Sequence, residues 1–246
     1  MEKLTPSLED NLRTFRELFH APENQDFVVR ELEPGGVRLA VLCIDGMASR
    51  RNIESAVLRP LMNAPPFGSL SPETRAQALL DKVLPTGTGE TEERVQNIAE
   101  FLLDGNCAVL IDGCAQAVLA ETQGYDTRSV NQPLIENTAF ASHEAFNESL
   151  RTNLTLLRRI LRTPDLVAEM HNIGATSSTK VALVYLSGVT SRKLIAECRR
   201  RLGGIGIDRL LSIGQLQQLI EDNPRQLLPQ IVQTDNGGEF CHTAKT

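Results

Sequence analysis

With 246 residues, 41% hydrophobic and 23% charged, the chain has the make-up of a globular protein, with room for one large or two small domains. Aromatic content is 4%, with no Trp and two Tyr, so base-stacking platforms and a nucleic-acid partner are not expected. Charge is uneven: residues 1–150 hold 12 Lys and Arg against 23 Asp and Glu, a net −11, and residues 151–246 hold 13 against 8, a net +5. The second part is therefore the one expected to face an acidic partner or an anionic phospholipid surface.

No window approaches 18 uninterrupted apolar residues, and MEKLTPSLEDNLR has neither a basic n-region nor an apolar h-region. Neither a membrane span nor a signal peptide is expected in the sequence as given. Cys43, Cys107, Cys114, Cys198 and Cys241 are odd in number and form no C-x-x-C pair, which favours reduced thiols and a cytosolic compartment.

Taken in order, Leu8, Leu12, Phe15 and Phe19 mark one face of a first helix, ended by His20-Ala-Pro22. Phe27 to Leu32 and Val37 to Ile44 read as a hairpin around Glu33-Pro34-Gly35-Gly36, closed by Asp45-Gly46. A helix starts at Ser49, and Pro60, Pro65 and Pro66 are expected to keep it short. Ser71-Pro72-Glu73 opens another helix, buried through Ala76, Leu79, Leu80 and Val83. A further helix is expected from about Thr91 to Leu103 on Val95, Ile98, Ala99 and Leu102. Asp112-Gly113 between two apolar runs is a hairpin turn.

Gly124 to Ala141 is polar and reads as a connector. Beyond it, a long helix is expected from about His143 to Leu161, then a hairpin looping at Gly174 to Ser178. Lys180 to Leu202, KVALVYLSGVTSRKLIAECRRRL, reads as buried strand, glycine turn and amphipathic helix, stopped by Gly203-Gly204. Ile205 to Leu211 is expected as a short strand, and Ser212 caps a last helix through Ile220, ended by Asp222-Asn223-Pro224.

The strand, turn and helix unit occurs twice. Arg38 to Leu58 lies 142 positions before its counterpart, with Gly46 on Gly188, Ser49 on Ser191 and Ile53 on Ile195. At the same offset Asn11 to Phe19 (NLRTFRELF) falls on Asn153 to Leu161 (NLTLLRRIL), and DFVVREL at Asp26 matches DLVAEMH at Asp165 after a three-residue gap. The expectation is a mixed α/β (α+β) chain of two related subdomains, each a small mixed sheet with a β-hairpin packed by helices. Their boundaries are placed at 1–140, including the connector 124–140, and at 141–234, with 235–246 a polar disordered tail.

Recognisable chemistry is sparse. Gly87-x-Gly89 follows a helix and lacks G-K-[ST], so it reads as a connector and not a phosphate cradle. The four His are scattered and His143-Glu144 has no second His at zincin spacing, so neither a metal nor a cofactor is expected. No G-x-S-x-G elbow occurs, and no catalytic residue is assigned. Asp45-Gly46 and Ser187-Gly188, equivalent turns at helix starts, are the candidate ligand-binding residues, and a small molecule held between the subdomains is the alternative function. Arg199, Arg200 and Arg201 are the candidate contact with an anionic partner.

Ile44-Asp45-Gly46, Arg128-Ser129-Val130 with Pro133 and Glu136, Glu144 to Asn153 (EAFNESLRTN), Lys180 to Gly188, and Glu221-Asp222-Asn223-Pro224 with Pro229-Gln230 resemble the N-terminal cytosolic domain of the GerA family. These are the A subunits of bacterial spore nutrient-germinant receptors. The family usually carries Arg-Gly-Pro where this chain has Phe140-Ala141-Ser142, and it proceeds into transmembrane helices where this chain has Asp235 to Thr246. The resemblance implies a non-catalytic module on the cytosolic side of the inner spore membrane. It would associate with itself and with B- and C-type receptor subunits, with Arg128 joining the contact residues, and relay nutrient binding towards germination.

Overall fold

The computed structural model of the chain describes residues 2–66, 70–84, 89–124, 146–221 and 231–234. They form two compact units, one from the ranges 1–22, 26–125 and 162–164, the other from 23–25, 126–161 and 165–246. The short links 23–25 and 162–164 are equivalent positions of the repeat.

In the first unit, helix α1 (Leu8–Leu18) starts at Ser7, whose hydroxyl accepts from Asp10 N–H at 3.2 Å, and carries Glu9 and Asp10 where the helix dipole favours carboxylates. Strands β1 (Phe27–Leu32) and β2 (Leu39–Ile44) form the first hairpin. A helical run follows as α2 (Arg50–Asn52), a wider π-helical stretch (Ile53–Leu58) and α3 (Arg59–Met62). Next come α4 (Pro72–Lys82), β3 (Glu90–Glu92), α5 (Val95–Leu103), β4 (Cys107–Ile111) and β5 (Ala117–Ala120). The five strands lie in the order β1-β2-β4-β5-β3. β2 and β4 are buried on both faces, which is why they read as continuous apolar runs without alternation. Leu12, Phe15, Ile98 and Leu102 cover one face over Ala40, Leu42, Ala108 and Leu110. Val57, Leu61, Ala76 and Leu79 cover the other over Val41, Cys43, Cys107 and Val109.

In the second unit, α6 (Leu150–Ile160) and the long hairpin β6 (Leu166–Ile173) and β7 (Thr179–Leu186) lead to α7 (Arg192–Gly203), α8 (Ile213–Ile220) and β8 (Ile231–Thr234). The sheet order is β6-β7-β8. Leu150, Leu154 and Leu157 pack with Leu166, Ala168 and Ala182, while Cys198, Leu202 and Leu216 pack with Val181 and Leu183. The other edge of β6 is met by the link 23–25: Gln25 N–H donates to Ala168 O at 3.0 Å, and the buried Asn24 Oδ1 accepts from Ala168 N–H at 3.0 Å and from Arg158 Nη2 at 3.3 Å.

The two units share main-chain devices at equivalent positions. Asn11 Nδ2 donates to Thr5 O at 2.7 Å while its Oδ1 accepts from Thr5 N–H at 2.9 Å. Asn153 makes the same pair with Asn147, at 2.6 and 2.8 Å. Ser149 caps α6 as Ser7 caps α1. Asp45 N–H reaches Asp26 O at 2.7 Å, and Ser187 N–H reaches Asp165 O at 2.8 Å.

The α+β class holds, with differences of detail. The sheets, expected to be mixed, are antiparallel at every pairing of named strands. Pro60 does not end its helix. The i→i+5 bond from Arg59 N–H to Glu54 O marks a widened turn just before it, where an α-helical carbonyl would meet the proline ring. Residues 90–92 form an edge strand and not a helix start, because the Glu92 carboxylate accepts from Glu93 and Arg94 N–H at 2.8 and 2.9 Å and delays the helix to Val95. α6 begins at Leu150, not near His143, since the Asn153 bonds hold Asn147 in a turn; residues 143–145 lie outside the described residues. Residues 205–211 make no strand: Ile207 and Asp208 carbonyls instead accept from the β6–β7 loop at Ala175, Thr176 and Ser177. β8 was not anticipated. Most of the connector, the Gly87 loop, Asp222 to Pro224 and the tail lie outside the described residues.

Candidate functional site

The two candidate turns share one backbone conformation. Gly46 and Gly188 have φ of 90° and 77°, a region that side chains with a Cβ adopt at a cost, and each lets a strand bend into the helix that follows. Their side chains differ. Both Asp45 carboxylate oxygens lie 3.3 Å from Arg50 Nη2, so this carboxylate is already paired across its own turn. Ser187 carries no charge, a Cβ built at Gly188 would meet nothing within 4 Å, and Val189 is 80% exposed. The turn in the second unit is thus the more open one.

The three consecutive arginines of α7 do not act as one surface. Arg199 turns onto the sheet, where its Nε donates to Glu169 Oε2 at 2.8 Å and its Nη2 donates to Glu169 Oε1. Tyr185 O–H donates to the same Oε1 at 2.6 Å. Arg201 is mostly buried, gives Nε to Glu197 Oε1 at 2.7 Å and caps Ile220 O with Nη1 at 2.5 Å. Arg200 chelates Glu197 from outside, at 2.7 and 2.6 Å, and these two guanidinium groups hold Glu197 at about 2. The exposed basic positions of the helix are Arg192 and Lys193 in its first turn, with Arg199 and Arg200 further along. Arg128 lies outside the described residues.

Glu169, Tyr185 and His171 were absent from the sequence-based candidates, and with Arg199 they form a polar cluster in the second unit. Glu169 and His171 alternate on β6, and Tyr185 stands opposite Val167, so the hairpin register puts all three side chains on one face. α7 adds Arg199. Burial raises the Glu169 carboxyl, but the bonds from Arg199 and Tyr185 outweigh it and leave the group below the usual carboxylate value. Burial, then Glu169, push the Tyr185 phenol up to about 12. The His171 imidazole is lowered, chiefly by burial; its Nε2 is buried, has no hydrogen-bond partner and stands 3.8 Å from Glu169 Oε2. One sign of this cluster was visible in the sequence: Glu169 is the one carboxylate in β6 and directly follows its apolar start Leu166-Val167-Ala168. Its chemistry is that of a satisfied ion pair that fixes helix to sheet. Among the described residues, no group of three or more His, Cys, Asp or Glu could hold a metal ion.

Residues 13–242 match the family model of the Bacillus/Clostridium GerA spore germination protein. Spore germination protein KA of Bacillus subtilis is 30% identical over 94% of this chain and 42% of its own length. Spore germination protein GerLA of Bacillus cereus is 27% identical over 95% of this chain and 47% of its own. The chain therefore spans less than half of these curated relatives. Among solved structures, the N-terminal domain of the A subunit of the Bacillus megaterium spore germinant receptor GerK3 superposes with a TM-score of 0.72 at 25% identity, covering 97% of this chain and 94% of that one. A family match across most of the sequence, on a fold shared nearly end to end with that domain, establishes that this chain belongs to the GerA family of spore germination proteins.

Proposed function

We propose that this chain acts as the N-terminal, non-catalytic domain of a germinant-receptor A subunit. In this reading it assembles with copies of itself or with B- and C-type receptor subunits, and relays nutrient binding towards germination. The observation that carries the reading is the near-complete overlap with the N-terminal domain of a receptor A subunit, 97% of one chain on 94% of the other. A place on the cytosolic side of the inner spore membrane fits the basic second part of the chain. No helix of the described residues is long and apolar enough to cross a membrane.

The test has two arms. Spores carrying the cognate receptor with this domain deleted should fail to lose refractility on nutrient while still responding to a receptor-independent trigger, and the domain should co-purify with receptor subunits. Normal nutrient germination without the domain would overturn the proposal. A thermal-shift screen of the chain against amino acids, sugars, nucleosides and dipicolinate separates relay from sensing: one saturable ligand would make the domain the sensor.

A further inference from the structure

Cys43 and Cys107 face each other across β2 and β4. The ladder between these strands runs from Leu39↔Ile111 to Leu42↔Ala108, so the next partners in register are the two cysteines. Asp112 N–H donates to Arg38 O at 2.9 Å and thereby sets the phase. With Arg38 accepting from Asp112, the alternation of the ladder puts residues 40 and 42 at hydrogen-bonded positions opposite β4 and residues 39, 41 and 43 at non-hydrogen-bonded ones. At such positions opposite Cα atoms approach to about 4.5 Å and the side chains are closest. A disulfide spans Cα separations of about 4.4–6.8 Å.

Both cysteines are buried, reduced thiols. The Cys43 thiol is hydrogen-bonded to the Cys107 sulfur, and Thr122 Oγ1 donates to that sulfur at 3.3 Å. The Cys43 bond, opposed by burial and aided by Thr122, leaves the Cys107 thiol below its ordinary value. Cys43 keeps 7% of its surface exposed against 0% for Cys107, so the pair borders solvent at one end. Cys114, in contrast, gives its S–H to Pro72 O at 2.9 Å, and burial pushes it up.

We propose that Cys43 and Cys107 are a modification site at which a hydroperoxide forms an intramolecular disulfide between β2 and β4. The Cys107 thiolate attacks one peroxide oxygen, the O–O bond breaks, and the departing hydroxide takes up the proton released from Cys107 to leave as water. The Cys43 sulfur then attacks the sulfenic sulfur of Cys107. The S–O bond breaks, and a second water leaves with the Cys43 proton. The two sulfurs lose two electrons between them, and hydrogen peroxide is reduced to two waters. The new bond ties β2, just before its Asp45-Gly46 turn, to β4, and closes the chain from residue 43 to residue 107.

The test is peptide mapping of the folded, full chain by mass spectrometry without reduction, after graded hydrogen peroxide. The expected product is one linked pair of peptides containing Cys43 and Cys107, lighter by two hydrogen atoms and restored by dithiothreitol, with Cys114 and Cys198 still alkylated. Closing so long a loop should raise the melting temperature of the oxidised protein by about 10 °C. Cys43→Ser should give no linked peptide and leave Cys107 as a dimedone-trapped sulfenic acid. Three outcomes would overturn the assignment, and none needs a variant to fold: both thiols staying reduced where a model peptide thiol is oxidised, linkage through another cysteine, or linkage only after denaturation.

Discussion

Arg199→Met removes the cation from the Glu169 cluster and keeps most of the side chain's bulk. The Glu169 side chain is 9% exposed and would then hold its charge with only the Tyr185 hydroxyl at 2.6 Å. Stripping one partner from a fully buried ion pair costs about 3–5 kcal/mol. Arg199 is itself 42% exposed and the tyrosine bond survives, so about 2–3 kcal/mol is expected here. The pH dependence carries a sign. In the native chain Glu169 is held below its unfolded value, so its contribution is present above about pH 4.3 and is lost as pH falls through the folded value. Without Arg199, burial prevails and raises the carboxyl. The penalty is then full at neutral pH and is relieved as acid protonates the group. The gap between the two proteins should therefore narrow from pH 7.5 to pH 5. Urea unfolding followed by circular dichroism at both values measures it. His171 stands beside Glu169 and is itself titratable, with its imidazole lowered chiefly by burial, so the comparison is repeated in a His171→Gln background. A gap under about 0.5 kcal/mol at pH 7.5, or one indifferent to pH in both backgrounds, would refute the argument.

Asn11→Ala and Asn153→Ala each remove two bonds to a single residue's main chain, and each should cost about 2 kcal/mol, measured as separate losses in urea unfolding. Gly188→Ala meets no neighbouring atom, so its cost should be the left-handed backbone term alone, about 1–2 kcal/mol, and Gly188→Asn should cost less. For binding to anionic vesicles, the triple change Arg192→Glu, Lys193→Glu and Arg200→Glu should abolish sedimentation at low salt with the melting temperature nearly unchanged. Arg199→Glu should lower the melting temperature instead, because its carboxylate would face Glu169.

The elements that sequence made legible depend on local chemistry. β1 has the bounds expected from Phe27 to Leu32, Asp112-Gly113 makes the β4–β5 turn, and Ser49 and Ser212 cap their helices through hydroxyls that accept from the third residue on. What was hidden depends on distant partners. β3 is a strand only because Thr91 pairs with Val118, and nothing in Glu-Thr-Glu declares it. β8 forms against Val181 to Val184, supplied by a strand some fifty residues earlier. The Glu169 cluster brings together residues 16 and 30 positions apart, and only the hairpin register and the docking of α7 bring them within hydrogen-bond reach. Runs of arginine mislead for the same reason. Arg199, Arg200 and Arg201 are adjacent in sequence but leave the helix about 100° apart: Arg199 turns to Glu169 on the sheet, while Arg200 and Arg201 hold Glu197 on their own helix.

The repeat shows where the two copies diverged. The Asn–main-chain pair, the serine cap, the bond from the turn N–H to the carbonyl of the Asp before the first strand of the hairpin, and the positive-φ glycine occur in both units, and all act on the backbone. The divergence lies in the side chains between sheet and helix. The positions of Glu169, Tyr185 and Arg199 correspond by the repeat offsets to Arg30, Cys43 and Val57. In the second unit they form an ion pair with a phenol on top; in the first, Cys43 and Val57 join an apolar core and Arg30 is left on the surface. β4 then brings Cys107 opposite Cys43. Backbone devices that build a fold can be copied without consequence, whereas an apolar sheet face that carries a thiol pair and one that carries an ion pair respond to different conditions, oxidant for the first and pH for the second. The same scaffold therefore offers two separately addressable halves, and the Arg199→Met and Cys43→Ser variants perturb them one at a time.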